Sequence, residues 1–444
     1  MSTPMPTPAS AGASLAEALD ARERAGRPVR VGLVGAGQMG TDILVQTALM
    51  RGIEVVAAAD AVPENVFTAC AAAGAGKREP EMADDASRSV GRGRLAVCRS
   101  HRAVCEAPEV DVVIDATGNP NVGAEVALTA FGAGKHMVMM NVEADVTIGA
   151  YLAAKAREAG VVYTLGAGDE PSSTMELVGF LRALGYPVVA AGKGKNNAFR
   201  VDATPDQYRD EARRRNMNPR MLVEFVDGSK TMVEMVALAN ATGLVPDIPG
   251  MHGPDAPLDA LHRVFRPKEE GGVLSRKGVV DFTVAKGVAP GVFAIAEIRH
   301  PRLMERMADL HIGEPPYITF FRPYHLTSLE VPLSAAAAVL FGQSHMQPLP
   351  VPVAEVGARS KRDLEPGETL DAIGEYSYRG YALARPDAVR LGALPLGLAQ
   401  GARVTARIAK GEYLTYGNCA PDEKLRIVQL RRLQDAQAGE RAAA

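Results

Sequence analysis

Lys193 and Lys195, separated by one glycine and followed by Asn196 and Asn197, concentrate more polar chemistry than a solvated strand end needs. Ammonium groups and amides beside glycines suit an anionic substrate, or the oxyanion that forms as a carbonyl accepts hydride. Upstream, Gly166-Ala-Gly168-Asp169-Glu170-Pro-Ser172-Ser173 places adjacent carboxylates in a glycine-rich turn, a pattern for metal coordination or acid/base work. Ser172 and Ser173 stand where helix N-terminal donors could hold a phosphate, although capping is the simpler role for Ser173. Downstream, Asp227-Gly-Ser-Lys230-Thr-Met-Val-Glu234 sets Lys230 and Glu234 one helical turn apart, a spacing that also makes a plain surface ion pair. Arg322-Pro-Tyr324-His325 joins a forked anion binder to a potential proton donor.

A second group of residues binds rather than reacts. Gly35-Ala-Gly37-Gln38-Met39-Gly40 is a GxGxxG pattern that directly follows an apolar strand and opens a helix. Gly35 permits the turn, Gly37 lets backbone approach a pyrophosphate, and Gly40 lets helix and strand pack closely, so the context predicts a dinucleotide-binding Rossmann fold. Asp60 ends the second strand, where a carboxylate accepts from the ribose hydroxyls and repels a 2′-phosphate. With no arginine next to it in the chain, it favours NAD(H) over NADP(H), and capping of the next helix is its alternative role. Asp115-Ala-Thr117-Gly118 and Asn141-Val-Glu143-Ala-Asp145 fall at later strand ends, where α/β folds gather ligand-binding groups; the former is expected beneath the nicotinamide.

Positioning these groups requires a βαβ frame. Strands are expected at Arg30–Val34, Glu54–Ala59, Val110–Ile114, His136–Met140 and Val161–Leu165, with a helix over Thr41–Arg51 and a surface loop from Gly74 to Arg94. The fold class is thus α/β: a doubly wound parallel sheet, then an α+β substrate and dimerisation domain, then a small all-β module after the link Pro348-Leu-Pro-Val-Pro352. The expected boundaries are a disordered or helical leader at 1–28, a dinucleotide domain at 29–170, the second domain at 171–347, the β module at 353–420 and a helical tail at 421–444.

Bulk properties narrow the partners. With 444 residues, 47 % of them hydrophobic and 23 % charged, the chain suits two or three globular domains. A net charge of −3 points to neither nucleic acid nor an anionic membrane. No run reaches the roughly 18 apolar residues that a span needs. Four scattered cysteines, with no CxxC pair, fit a reducing cytoplasm and no structural zinc.

The motifs around 141–145, 166–171, 193–197 and 227–234, with Arg322-Pro-Tyr-His-Leu-Thr-Ser328, resemble the 1-deoxy-D-xylulose 5-phosphate reductoisomerase-like (second-type) family. The resemblance runs from about Val29 to the tail. It implies a homoserine-dehydrogenase-like fold, a C-terminal SAF-type (β-clip) module at Val353–Cys419 and a homodimer. It also implies NADPH-dependent rearrangement and reduction of the pentulose phosphate to 2-C-methyl-D-erythritol 4-phosphate, an isoprenoid precursor. Lys193, Lys195 and Asn196 would then bind phosphate or the reacting oxygens, and Asp169 and Glu170 would orient substrate or a divalent cation, Mg²⁺ or Mn²⁺. Arg322 and His325 would take electrophilic and anion-binding parts. Val142 stands where homoserine dehydrogenases carry lysine, which argues against homoserine oxidation, and Asp60 departs from the NADPH preference. The alternatives are an NAD-linked dehydrogenase of another polyhydroxy acid or polyol, and a dinucleotide sensor without turnover.

Overall fold

The computed structural model describes residues 14–74 and 77–443, with side chains described up to 439, and divides into two compact units. The first comprises the chain to Asp145, Tyr151–Asp169 and Leu326–Gln347. Residues 1–13 of the expected leader lie outside the described residues; from Ser14, a capping box starts α1 (Leu15–Arg24).

The chain then runs β1 (Val29–Val34), α2 (Gln38–Leu49), β2 (Ile53–Ala59), α3 (Glu64–Ala72), β3 (Pro80–Met82), α4 (Ala86–Gly91), β4 (Leu95–Cys98), α5 (His101–Cys105), β5 (Val112–Asp115), α6 (Pro120–Gly132), β6 (His136–Met139), α7 (Val142–Glu158) and β7 (Tyr163–Leu165). All seven strands pair in parallel, in the order β3-β4-β2-β1-β5-β6-β7. Strands buried on both faces read as continuous apolar runs, as Val55–Ala59 does with every residue buried. Connections leave β1 toward β2 on one side and return to β5 on the other, which opens a crevice at the carboxyl ends of β1 and β5. The loop expected from Gly74 to Arg94 is corrected here: it contains β3 and α4. A three-residue edge strand beginning with proline carries no period-2 signal, and a six-residue helix carries little periodicity. The helix Val331–Phe341 returns to this unit and buries Val331, Ala335, Ala336 and Leu340 in its core.

The second unit comprises residues 146–150, 170–325 and 348–444. It holds α8 (Glu170–Ala183), β8 (Val188–Gly194), α9 (Pro205–Arg214), α10 (Pro219–Val226), α11 (Ser229–Thr242), β9 (Val245–Pro246), α12 (Leu261–Val264), β10 (Val279–Thr283), β11 (Val292–Glu297), α13 (Pro301–Asp309), β12 (Gly313–Glu314) and β13 (Tyr317–Arg322). Its sheet is mixed, in the order β12-β13-β11-β8-β10-β9, with β8 parallel to β10 and antiparallel to β11. α11 is buried along almost its whole length, as its nearly uninterrupted run of small and apolar residues requires. After α14 (the helix Val331–Phe341), the C-terminal part forms β14 (Ala354–Ser360), β15 (Tyr378–Ala384), α15 (Arg385–Leu391), β16 (Arg403–Val404), β17 (Tyr413–Leu414), β18 (Cys419–Ala420) and α16 (Arg426–Ala443). The module expected to be all-β therefore includes one helix, α15, which turns the chain after β15. Among the described residues no helix is long and apolar enough to cross a membrane.

Candidate active site

In the first unit the glycine-rich turn has the shape the sequence demands. A Cβ on Gly40 would lie 2.0 Å from the Gly35 carbonyl oxygen, whereas one on Gly37 would meet nothing within 4 Å. Helix and strand are thus in tight contact on one side and open on the other, where a pyrophosphate can approach. Gly37 caps α2 without a side-chain bond, and Gln38 and Met39 begin the helix, so first-turn N–H groups face the same opening. A cleft of about 490 Å³ lies over this turn, lined by Gly35, Gly37, Asp60, Arg99, His101 and Thr117 among others. These features fit a nicotinamide dinucleotide.

Asp60 serves the protein as well as the cleft. One carboxylate oxygen accepts from the Ala36 N–H at 2.8 Å, and the other accepts from the Val62 N–H and the Asn65 amide at 2.9 and 3.0 Å. It therefore braces the glycine-rich turn and caps the approach to α3. The reading that no arginine accompanies Asp60 holds along the chain but not in space. β2 and β4 pair with Ala59 opposite Cys98, so the residues that follow, Asp60 and Arg99, line one cleft. Only the parallel register brings these distant positions together.

Asp115 ends β5 fully buried and accepts from the Thr117 N–H at 3.1 Å. Burial pushes its carboxyl up to about 6, against Thr117 and the nearby Asn141 amide, which favour the anion. Asn141 caps α7 by accepting from the Ala144 N–H, and Gly118 turns the chain at φ 63°. Asp169, buried, is the last residue of its stretch in the first unit.

The second unit assembles the charged cluster. Lys193 sits near the end of β8 between Gly192 and Gly194; a Cβ on either glycine would fall 1.7 Å from the Asp281 carbonyl oxygen or 2.3 Å from the Ala289 nitrogen. Backbone thus packs closely at both flanking positions, and the lysine ammonium donates to Glu170 at 2.5 Å and to Glu234. Burial alone would lower the Lys193 pKa, but the two carboxylates outweigh it and keep the amine charged. Burial and the neighbouring Glu170 charge push Glu234 up to about 7 in spite of Lys193. His325 approaches Glu170 through Nε2 at 3.4 Å and sets its Nδ1 2.6 Å from the Pro290 carbonyl oxygen.

Lys195 differs from Lys193. It donates to the Phe225 carbonyl and lies 5.8 Å from the Phe199 ring centroid. Burial, then the Lys193 charge, lower its pKa to about 8. An amine that exchanges its proton near neutral pH is equipped for general acid/base work.

Other expected residues lie differently from their expected parts. Asn196 is exposed, and its carbonyl accepts from the Asn197 amide at 3.0 Å. Arg322 donates to Ser173 at 3.0 Å and Glu176 at 2.9 Å, and its guanidinium stacks 4.8 Å from the Tyr324 ring centroid, so it ties β13 to α8. Lys230, on the first turn of α11, is half-buried. Glu234, whose spacing from Lys230 left a functional role and a plain surface ion pair equally open, is 1 % exposed and reaches Lys193.

Residues 31–165 match the family described as homoserine dehydrogenase, NAD binding domain, and residues 168–331 match the family described as oxidoreductase DRL, catalytic domain. The chain is a nicotinamide-dependent oxidoreductase of the dehydrogenase type. The two matches divide this oxidoreductase between the glycine-rich cleft and the Lys193 cluster, and both stop short of β14. No curated protein sequence matches the oxidoreductase. Among solved structures it is similar to apo scyllo-inositol dehydrogenase from Lactobacillus casei, at 12 % identity and a TM-score of 0.40 over 71 % of this chain and 89 % of that one. It is also similar to myo-inositol dehydrogenase from the same organism in complex with NAD(H) and myo-inositol, at 14 %, 0.37, 67 % and 75 %. An NAD binding oxidoreductase from Klebsiella pneumoniae aligns over 40 % of this chain and 44 % of its own, with 20 % identity and a TM-score of 0.29.

Proposed function

We propose that this oxidoreductase transfers hydride to or from the carbinol carbon of a small polyhydroxylated compound, with Lys195 as the proton-transfer group. The observation that carries the reading is the buried Lys195 amine, pushed down to about 8 by burial and by the charge of Lys193, which Glu170 and Glu234 hold charged. When bound, the nicotinamide supplies or accepts the hydride. Lys195, protonated, gives a proton to the oxygen as a carbonyl is reduced; unprotonated, it takes the hydroxyl proton as an alcohol is oxidised. Lys193 holds Glu170 and Glu234 in place, and carboxylate lone pairs left over accept from substrate hydroxyls.

The charges of Glu170, Lys193, Glu234 and Lys195 cancel, which suits hydroxyl groups and does not by itself call for a phosphate. The reductoisomerase reading, 1-deoxy-D-xylulose 5-phosphate to 2-C-methyl-D-erythritol 4-phosphate, is supported by the motif resemblance across 141–328. Glu170 and Glu234 offer the hard oxygen donors that Mg²⁺ or Mn²⁺ takes, and a cation held by them would compete with the Lys193 ammonium. A homodimer, an SAF-like C-terminal module and a cytoplasmic location complete the proposal.

The deciding assay supplies NADH and NADPH with the pentulose phosphate, and NAD⁺ and NADP⁺ with a panel of polyols and sugar acids, each with and without Mn²⁺. Polyol or sugar-acid oxidation that disappears in Lys195→Met establishes the main reading. Methylerythritol phosphate formation establishes the second. Cofactor binding without turnover on any substrate leaves the sensor reading.

A further inference from the structure

The C-terminal module sends one charge into the interior of the second unit. Lys361 follows β14 and is 5 % exposed. Its ammonium donates to the Ala203 carbonyl at 2.9 Å and the Glu375 carbonyl at 2.8 Å, and lies 2.7 Å from Asp227 Oδ2. The two carbonyls accept the ammonium's hydrogen bonds, and Asp227 faces it as a buried ion pair. Asp227 is 0 % exposed, and its Oδ1 accepts from the N–H of Ser229, the first residue of α11, at 2.8 Å. Between them Gly228 turns through the left-handed region at φ 89°, which a side chain would strain. β15 closes over the same corner: the Gly380 N–H donates to Ser229 Oγ at 2.8 Å.

This corner bears the candidate chemistry on both sides. Phe225, two residues before Asp227, offers the carbonyl to which Lys195 donates. Lys230 and Glu234 follow on α11, and Glu234 accepts from Lys193. Adhesion of the module does not require a buried charge, because exposed contacts already join it to the same region. Tyr376 donates to Asp206 at 3.0 Å, and Lys410 pairs with Asp202 at 2.8 Å. A buried ion pair, moreover, contributes little net stability compared with an apolar pair of the same shape.

We propose that Lys361 is a positioning residue of the catalytic unit, which through Asp227 holds the turn that offers Lys195 its acceptor carbonyl and opens α11. The C-terminal module is then part of the catalytic machinery. This rests on Lys195 being the proton-transfer group of the proposed function. The groups that face Asp227 are Lys361 from the end of β14, Lys195 from the end of β8, Arg379 from β15 and Ser229 from α11; Lys195 also feels Lys193 and Glu234. Burial already raises the Asp227 pKa against the pull of Lys361. Without that pull the Asp227 pKa rises further, and each proton it takes up removes a nearby anion that favours the charged form of Lys195.

The test is the pH dependence of reductive methylation at Lys195, resolved by peptide mass spectrometry, on the full chain and its Lys361→Met, Asp227→Asn and double variants. The expected result is a midpoint near 8 in the native protein, lowered by about 1 pH unit in either single variant. The double variant is expected to match Asp227→Asn alone, because Lys361 acts through Asp227. A native midpoint in a Lys361→Met protein that still binds cofactor overturns the proposal, as does a double variant whose midpoint moves by the sum of the two single shifts. Where Lys361→Met does not fold, the double variant, which leaves no unpaired buried charge, decides against Asp227→Asn by the same criterion. Labelling needs no substrate, so the outcome is separate from the functional reading: turnover that survives in Lys195→Met removes that reading and leaves the titration result standing.

Discussion

Lys195 is where chemistry and measurement meet most directly. Replacing it with methionine keeps the apolar stem beside Phe199 and removes the titrating amine. Turnover should fall at least about 100-fold, the scale of general acid/base catalysis, with dinucleotide affinity unchanged by fluorescence titration. The sign of the pH dependence follows from the amine near 8. Carbonyl reduction needs it protonated and slows as pH rises past 8, whereas alcohol oxidation needs it free and speeds up over the same range. At the other site, Arg99→Glu should lower the ratio of kcat/KM for NADPH to that for NADH by about tenfold or more, since opposite charge at a phosphate is worth at least about 1.4 kcal/mol. Unchanged discrimination in Arg99→Glu, with Asp60→Ala shifting it, would give the choice to Asp60 alone. Lys193, Lys195 and Glu170 were legible because polar groups beside glycines stand out of an apolar context. Glu234 was not, because its partner lies 41 residues away and one helical turn offered a nearer explanation.

The elements carry their own tests. Gly192→Ala places a methyl group 1.7 Å from the Asp281 carbonyl, inside the β8–β10 pairing, and should destabilise the protein by about 3 kcal/mol. Chemical denaturation measures this, and a loss below about 1 kcal/mol would mean that β8 can move aside. α16 is fixed by Arg431, which donates to Glu355 on β14 with both side chains 4 % exposed, while Arg385 pairs with the same carboxylate at 2.8 Å. Arg431→Met should cost about 3 kcal/mol, because a buried carboxylate keeps only part of its compensation. β1, α2 and β2 could be read from sequence because apolar runs and glycine spacing are local signals. β3 and α4 could not, being short pieces that exist through pairing with β4 and packing against it.

At the scale of the molecule, buried carboxyls set the response to pH. Burial raises Asp145 to about 7, although the Tyr163 hydroxyl donates to it at 2.8 Å and favours the anion. Its folded pKa lies above its unfolded value, so its contribution to stability is full below about 4. That contribution is lost as pH rises through 7, by about 1.4 kcal/mol for each pH unit crossed in the window. Asp145→Asn, which keeps the acceptor for Tyr163, should therefore raise the melting temperature at pH 8 and change it little at pH 4. Equal effects at both pH values would show that the carboxyl titrates normally. The sequence by itself determined the doubly wound sheet, the glycine-rich cofactor turn and the identity of the charged residues, because these depend on periodicity and on backbone demands made within a few positions. Tertiary structure alone decided which charges meet. It put Arg99 in one cleft with Asp60 through the β2–β4 register, Glu234 on Lys193 across α11 and β8, and Lys361 on Asp227 from the end of β14. Each pairing joins residues dozens to more than a hundred positions apart, and its geometry follows from strand register and helix packing that no local pattern encodes.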